Sequence, residues 1–197
     1  METNKLEINA PAPKFEAKVF QNDEIKAVKL SNYHGKWVVL VFYPADFTFV
    51  CPTELADLGA KYEDLKKLGA EVISVSTDTK FSHLAWKEAE KLMKNVKYTM
   101  AADATGKVSK LFGVYDCSTG LALRGTFIIN PEGKLVASEV NFYNVGRSAD
   151  ELVRKMAANN YLSTHPDEAC PSNWHSGGKT LKPTAAMVGK VYEAMNQ

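Results

Sequence analysis

The sequence has no apolar run close to the roughly 20 residues that a membrane-spanning helix requires, so no spanning role is expected. It has no excess of one charge either. The formal net charge is +1 with acidic and basic residues interleaved, which argues against a nucleic-acid groove or a membrane-surface patch. Internal repeats and low-complexity tracts are absent. The stretch Met1 to Phe20 is polar, carries Pro11 and Pro13, and has no apolar segment of the signal-peptide kind, so the cytosol is the expected compartment. Cysteine is scarce: three in 197 residues do not make a disulfide framework. No two cysteines are close in sequence, and His34, His83, His165 and His175 show no ligand spacing, so no metal is expected.

What is present suffices for one well-buried domain with a short appendage, since 45% of the residues are hydrophobic. Trp37 to Tyr43 is a continuous apolar run, β-branched and aromatic, of the kind found in a strand buried on both faces. Pro44 and Asp46 end it. After Cys51, the spacing of Leu55, Leu58, Tyr62, Leu65 and Leu68 predicts an amphipathic helix that Gly69 stops. Glu71 to Ser76 reads as a second strand, and helical signals follow from about Lys80 to Met93. Two further strands, Arg124 to Asn130 and Lys134 to Asn141, flank a turn at Asn130-Pro131-Glu132-Gly133. Ser148 and Glu151 form a capping-box pair ahead of a last helix carrying Leu152, Val153, Met156 and Tyr161. Strand, helix, strand, helix, hairpin, helix is the order of an α/β domain with a thioredoxin-like fold: a central mixed sheet flanked by helices. From about His165, Pro166, Pro171, Gly177, Gly178 and Pro183 punctuate a polar stretch expected to be a C-terminal arm. The expected division is residues 1–164 as the domain and 165–197 as the arm.

Cys51 falls between the buried strand and the amphipathic helix, and Pro52 follows it. Proline is favoured at the first helical position, which makes Cys51 the N-cap or nearly so. Free backbone N–H groups and the helix dipole favour a thiolate there. A buried, inert cysteine at a helix start remains the alternative. Dithiol reductases of this fold carry a second cysteine two residues into the turn. Here Glu54 follows Cys51-Pro52-Thr53, so a local disulfide cannot form. No histidine stands in the context of a cysteine hydrolase. One activated thiolate with a distant partner is what remains.

The segment Pro44-Ala45-Asp46-Phe47-Thr48-Phe49-Val50-Cys51-Pro52-Thr53-Glu54 resembles the active-site signature of the peroxiredoxins. The resemblance continues through Ser76 to Thr79, His83 to Trp86, Leu123 to Ile129 and Val145 to Arg147, and closes with Cys170 to Trp174 and Lys182-Pro183. It is nearest to the typical two-cysteine branch. The resemblance implies a thiol peroxidase reducing hydrogen peroxide and organic hydroperoxides, with Cys51 peroxidatic and Cys170 resolving. It implies that Thr48 bonds the thiolate and the peroxide, Arg124 supplies a guanidinium, and Pro44 shields the pocket. Glu54 and Arg147 become a supporting network, and Trp174 anchors the arm. By themselves Arg124 reads as a solvated strand-end charge, and Trp174 and Tyr192 as packing residues. Cys117 has no family role and reads as a bystander.

The implied disulfide joins Cys51 of one chain to Cys170 of another in a two-fold homodimer, five of which form a ring. Thioredoxin or a flavoprotein disulfide reductase is the implied electron donor, with no metal, flavin or nucleotide in the protein itself. Holdase chaperone activity is the alternative from another class, and it would survive Cys51→Ser. Hyperoxidation-sensitive relatives carry a Gly-Gly-Leu-Gly insertion and a C-terminal Tyr-Phe pair. Lys91 to Lys97 has no such insertion, and Glu193 follows Tyr192. Resistance of Cys51 to sulfinic-acid formation is therefore expected.

Overall fold

The computed structural model describes residues 6–21 and 24–196. Two compact units are present, Met1–Ala149 and Asp150–Gln197. Two strands open the first unit, β1 (Glu16–Gln21) and β2 (Glu24–Lys29), paired antiparallel from Glu16↔Lys29 to Gln21↔Glu24. Ala17 and Val19 are buried and Lys18 between them is exposed, the period-two pattern of a half-buried strand. That alternation covers too few residues to stand out in a stretch read as polar, so both strands add to the expected element order.

The apolar run becomes β3 (Trp37–Phe42), with all six residues buried. It is followed by α1 (Cys51–Ala60), α2 (Tyr62–Lys67), β4 (Ala70–Ser76), α3 (Lys80–Ala89) and β5 (Thr99–Ala102). Next come the short α4 (Lys107–Leu111), the two-residue strands β6 (Tyr115–Asp116) and β7 (Leu121–Ala122), and then β8 (Arg124–Ile129) and β9 (Leu135–Asn141). Seven strands form one sheet in the order β2-β1-β5-β4-β3-β8-β9. Within it, β3, β4 and β5 run parallel, while β8 is antiparallel to both β3 and β9. This is the expected mixed sheet with helical crossovers, and the β8–β9 turn closes as expected through Gly133 N–H to Asn130 O at 2.9 Å.

Two helical stretches break where single helices were expected. The helix after Cys51 divides at Lys61, whose φ of −97° and ψ of 2° interrupt it, yet Leu58, Tyr62 and Leu65 all remain buried. The apolar stripe therefore reports the buried face and not the continuity of the backbone. Likewise α3 ends at Ala89, and Lys91–Asn95 turns as a 3-10 helix.

Beneath the sheet, Val38, Leu40 and Phe42 of β3 pack with Ile73 and Val75 of β4 and with Phe127 and Ile129 of β8. Phe112 closes this core with ring centroids 5.4 Å from Phe42 and 5.0 Å from Phe127. Burying each such ring is worth roughly 1.5–3 kcal/mol. Gly125 admits no side chain: a Cβ there would lie 2.8 Å from both the Phe127 ring and Val114 Cγ1. Gly125→Ala is therefore expected to cost about 1–3 kcal/mol through overpacking. A thermal melt checks this, and an unchanged midpoint would refute it.

The second unit contains α5 (Ala149–Thr164), which starts on the last residue of the first, and α6 (Val191–Asn196). Its polar arm is fastened at several points. Ala169 pairs with Leu181, Trp174 Nε1 donates to Gly178 O at 3.0 Å, and Arg154 donates to Trp174 O at 3.3 Å. Tyr161 stacks on His165 at 4.0 Å and donates to Glu168 at 2.8 Å; Thr180 donates to the same carboxylate. Tyr192 is exposed where a packing role was expected. The contact pattern groups α5 with the arm, whereas the expected division placed it with the domain. Among the described residues no helix is long and apolar enough to cross a membrane.

Candidate active site

Cys51 occupies the strand-to-helix turn that follows β3, and it is fully buried. The helix begins one position earlier than expected. Val50 already has helical angles, φ −80° and ψ −36°, so Cys51 is the first helical residue and Pro52 the second. The consequence is electrostatic: Thr53 N–H and Glu54 N–H both donate to Val50 O, at 3.1 and 3.2 Å, and Pro52 has no N–H. Of the expected cluster of free helix-start donors, those two are occupied by the turn itself.

The donor that does reach the sulfur is Arg124, at the start of β8. Its side chain is 4% exposed, and one terminal nitrogen lies 3.4 Å from Cys51 Sγ and 2.5 Å from Glu54 Oε2. Its Nε donates to Tyr143 O at 2.7 Å. The solvated strand-end charge that Arg124 suggests in isolation is thus replaced by a buried guanidinium fixed from two sides.

Glu54 projects from the first turn of α1 and takes donors from two arginines. Arg147 bonds it through its backbone N–H and through Nε, each at 2.8 Å to Oε1, and through its second terminal nitrogen at 3.2 Å to Oε2. Arg147 also donates to Gly125 O at 2.8 Å and to Thr126 at 3.1 Å, which ties α1 to β8. Burial pushes the Glu54 carboxyl up, but the hydrogen bonds and charge of Arg147, joined by the charge of Arg124, outweigh it and hold the carboxyl below its ordinary value. Gly146 makes room for this approach: a Cβ there would stand 3.3 Å from Val50 Cγ1.

Thr48 and Pro44 lie on the loop between β3 and α1, Pro44 buried and Thr48 partly so. The Thr48 hydroxyl donates to Ala45 O at 2.8 Å and not to the sulfur. A hydroxyl has one proton, so in this arrangement Thr48 offers only lone pairs to anything else. The structure thus brings Cys51, Arg124, Glu54 and Arg147 together, with Thr48 three residues away on its own turn.

Cys170 and Trp174 lie in the second unit, Cys170 half-buried and Trp174 buried. There Cys170 borders a cleft with Arg154, Lys155, Asn159 and Pro171. Burial, with the charge of Glu168, pushes its thiol up. Cys117 is exposed on the β6–β7 turn. Two contributors escaped the sequence reading. Tyr143 acts through a backbone carbonyl, which carries no residue-type signal. Asp57 accepts the first N–H of α5, Ala149 N, at 2.9 Å, and it looks like any helix-surface acid.

A mixed sheet with parallel β3-α-β4 and β4-α-β5 crossovers, carrying one buried thiol at the turn after β3 and no second cysteine in that turn, defines a thioredoxin-like fold with a single sulfur in its strand-to-helix turn. A model of the AhpC/TSA family matches residues 8–138, and the chain belongs to that family. It is similar to alkyl hydroperoxide reductase C of Bacillus subtilis (strain 168), with 48% identity over 177 residues, covering 90% of this chain and 95% of that protein. Two crystal structures resemble it. Enterococcus faecalis AhpC has a TM-score of 0.81 at 41% identity, covering 85% of this chain and all of that one. Reduced Plasmodium vivax 2-Cys peroxiredoxin has a TM-score of 0.89 at 32% identity, covering 94% and 98%.

Proposed function

We propose that this chain is a thiol-dependent hydroperoxide reductase in which Cys51 is the peroxidatic sulfur. The observation that carries this is the buried Arg124 guanidinium against Cys51 Sγ at the start of α1. The thiolate attacks one peroxide oxygen; an S–O bond forms, the O–O bond breaks, and the departing oxygen leaves as hydroxide or alkoxide that takes up a proton. Negative charge grows on that departing oxygen, and a donor already fixed in a dry site stabilises it without reorganisation. Arg124 is so fixed by Glu54 and Tyr143 O, and its second terminal nitrogen makes no hydrogen bond among the described residues. Thr48 would turn its hydroxyl from Ala45 O to the peroxide, and Pro44 would keep water out. Because Cys51 is fully covered, entry of the peroxide needs a small opening of the loop from Pro44 to Val50.

The Cys51 sulfenic acid then condenses with the Cys170 thiol of a second copy, releasing water and forming the disulfide. A dithiol protein or a flavoprotein disulfide reductase supplies the two electrons that return both thiols. The α5 contacts of Trp174 and Glu168 make the arm a fastened segment that must release for this step. Functionally the peroxidase domain is residues 1–164 and the arm 165–197. Self-association is supported by exposed Phe49 beside Cys51, by exposed Phe142 and Val145, and by the outer edge of β9 around exposed Val140, which pairs with no described strand. A two-fold dimer, and a ring of five, would cover such surfaces. The cytosol suits a cycle that depends on continual re-reduction.

Stoichiometric peroxide added to the reduced protein tests the assignment. We expect an interchain Cys51–Cys170 disulfide by peptide mapping, and a trappable sulfenic acid on Cys51 in Cys170→Ser. A sulfenic acid mapped to Cys117 instead would overturn it. Under turnover at high peroxide, sulfinic acid on Cys51 is expected to accumulate only slowly, and mass spectrometry of the active-site peptide reads this directly.

A further inference from the structure

Behind the loop that carries Thr48 lies a buried polar cluster with no part in the chemistry described so far. Asp46 and His83 have side chains 1% and 0% exposed, and His83 Nδ1 stands 2.8 Å from Asp46 Oδ2. Tyr43, also fully buried, donates its hydroxyl to Asp46 Oδ1 at 2.8 Å. The Asp46 backbone N–H donates to Asp78 Oδ2 at 2.9 Å, and Ser76 donates to the same oxygen at 2.8 Å. Burial, together with the charge of Asp46, pushes the Asp78 carboxyl up. Asp46 is thus held through both carboxylate oxygens and its amide, by Tyr43 just past β3, by Asp78 of the β4–α3 turn and by His83 of α3. His83 Nε2, by contrast, is buried without a hydrogen-bond partner among the described residues.

Stability alone does not account for this arrangement. A buried hydrogen-bonded pair often does no better than an apolar pair of the same shape, and an orphaned Nε2 costs further. What the pair supplies is direction. Phe47, the next residue, has φ +56°, the left-handed region that L side chains rarely adopt. Thr48 follows it, and the helix start at Cys51 lies three residues further on. A loop relaxing from that strained angle would carry the Thr48 hydroxyl with it.

We infer that His83 is a positioning residue for peroxide reduction: through Asp46 it holds the Phe47 turn in its left-handed conformation and so places Thr48 over Cys51. This rests on Cys51 being the peroxidatic thiol. Asp46 Oδ2 is an acceptor, and His83 Nδ1 donates to it in the tautomer that carries its proton there. Asparagine can present an amide N–H where Nδ1 stands, and leucine cannot.

The test compares two reactions of Cys51 in the same protein: stopped-flow reduction of hydrogen peroxide, and alkylation by iodoacetamide followed on the Cys51 peptide. Alkylation needs the sulfur but no donor at a departing peroxide oxygen. His83→Leu is expected to slow peroxide reduction by about 10- to 100-fold, the scale of a misplacement near 1 Å, with alkylation within a factor of about two, the same order as the unmodified protein. His83→Asn is expected to recover most of the peroxide rate. Should His83→Leu not fold, His83→Met, which fills more of the imidazole volume and likewise offers Asp46 no donor, is expected to show the same selective loss. Equal slowing of both reactions, an unchanged peroxide rate, or no rescue by asparagine overturns the inference. Failure of the Cys51 assignment looks different, because the unmodified protein would then show no fast peroxide reaction at Cys51.

Discussion

Arg124→Met will slow the reaction of Cys51 with hydrogen peroxide by about 10²–10³-fold, the usual loss when one preorganised donor to a developing oxyanion is removed. Methionine fills much of the volume of the arginine stem, so the effect reports the guanidinium and not a cavity. Three acceptors now fix that group: Tyr143 O on Nε at 2.7 Å, with Glu54 Oε2 at 2.5 Å and Cys51 Sγ at 3.4 Å sharing one terminal nitrogen. The other terminal nitrogen makes no hydrogen bond among the described residues. Arg124→Lys discriminates between charge and geometry. A lysine ammonium retains the charge, but it is a compact point on a flexible stem and cannot span Tyr143 O, Glu54 and the sulfur together. Lysine is therefore expected to recover less than about tenfold of the loss, a small part of what oriented donors supply. Full recovery by lysine would mean that charge alone suffices, and the oriented hydrogen bonds would then be incidental. Stopped-flow measurement of the first oxidation, before the disulfide forms, separates this step from resolution.

The parts of the molecule legible in the sequence are those where residue type and spacing carry the physics. Six consecutive apolar residues made β3 visible, and the stripe from Leu55 to Leu65 made the following helical face visible despite the break at Lys61. Asn130 to Gly133 announced their turn through chemistry that only a few residues provide. The Cys51 turn was visible because a cysteine followed by proline after a buried strand has few other readings. What stayed hidden is of a different kind. The β1–β2 pairing depends on a short alternation that composition obscures. The burial of Arg124 is a long-range outcome, set by Glu54 seventy positions away in the chain and by a carbonyl at Tyr143. The start of α1 at Cys51 instead of one residue later depends on the dihedral angles of Val50, and it redirects two amides that were expected to face the sulfur. Thr48 shows the same limit: its position on the loop was legible, but the preference of its proton for Ala45 O was not.

Glu54→Gln should be the most destabilising isosteric change in the first unit, by about 3–5 kcal/mol, because it leaves two buried guanidinium groups without their carboxylate. Neither orientation of the amide escapes a clash of donors. With its nitrogen in the place of Oε2 it faces Arg124, and in the place of Oε1 it faces the backbone N–H and Nε of Arg147. For a chain of this size that loss lowers the melting midpoint by roughly 10 °C. The pH dependence follows from the direction of the Glu54 shift. Burial alone would raise its pKa, but Arg147 and Arg124 hold it below the ordinary carboxylate value of 4.5. The folded protein therefore binds this proton more weakly than the unfolded chain does. The stabilisation from Glu54 is complete above the ordinary value and is lost as pH falls through the lower, folded one. Stability of the unmodified protein should accordingly decline on acidification below about pH 4.5, and Glu54→Gln should remove that part of the acid slope while lowering the neutral plateau. Urea melts across this range decide the matter. An unchanged acid slope would place the sensitivity in another carboxylate. An unchanged plateau would mean that Arg124 and Arg147 find other acceptors, and the frame that holds Arg124 against Cys51 would then need no Glu54.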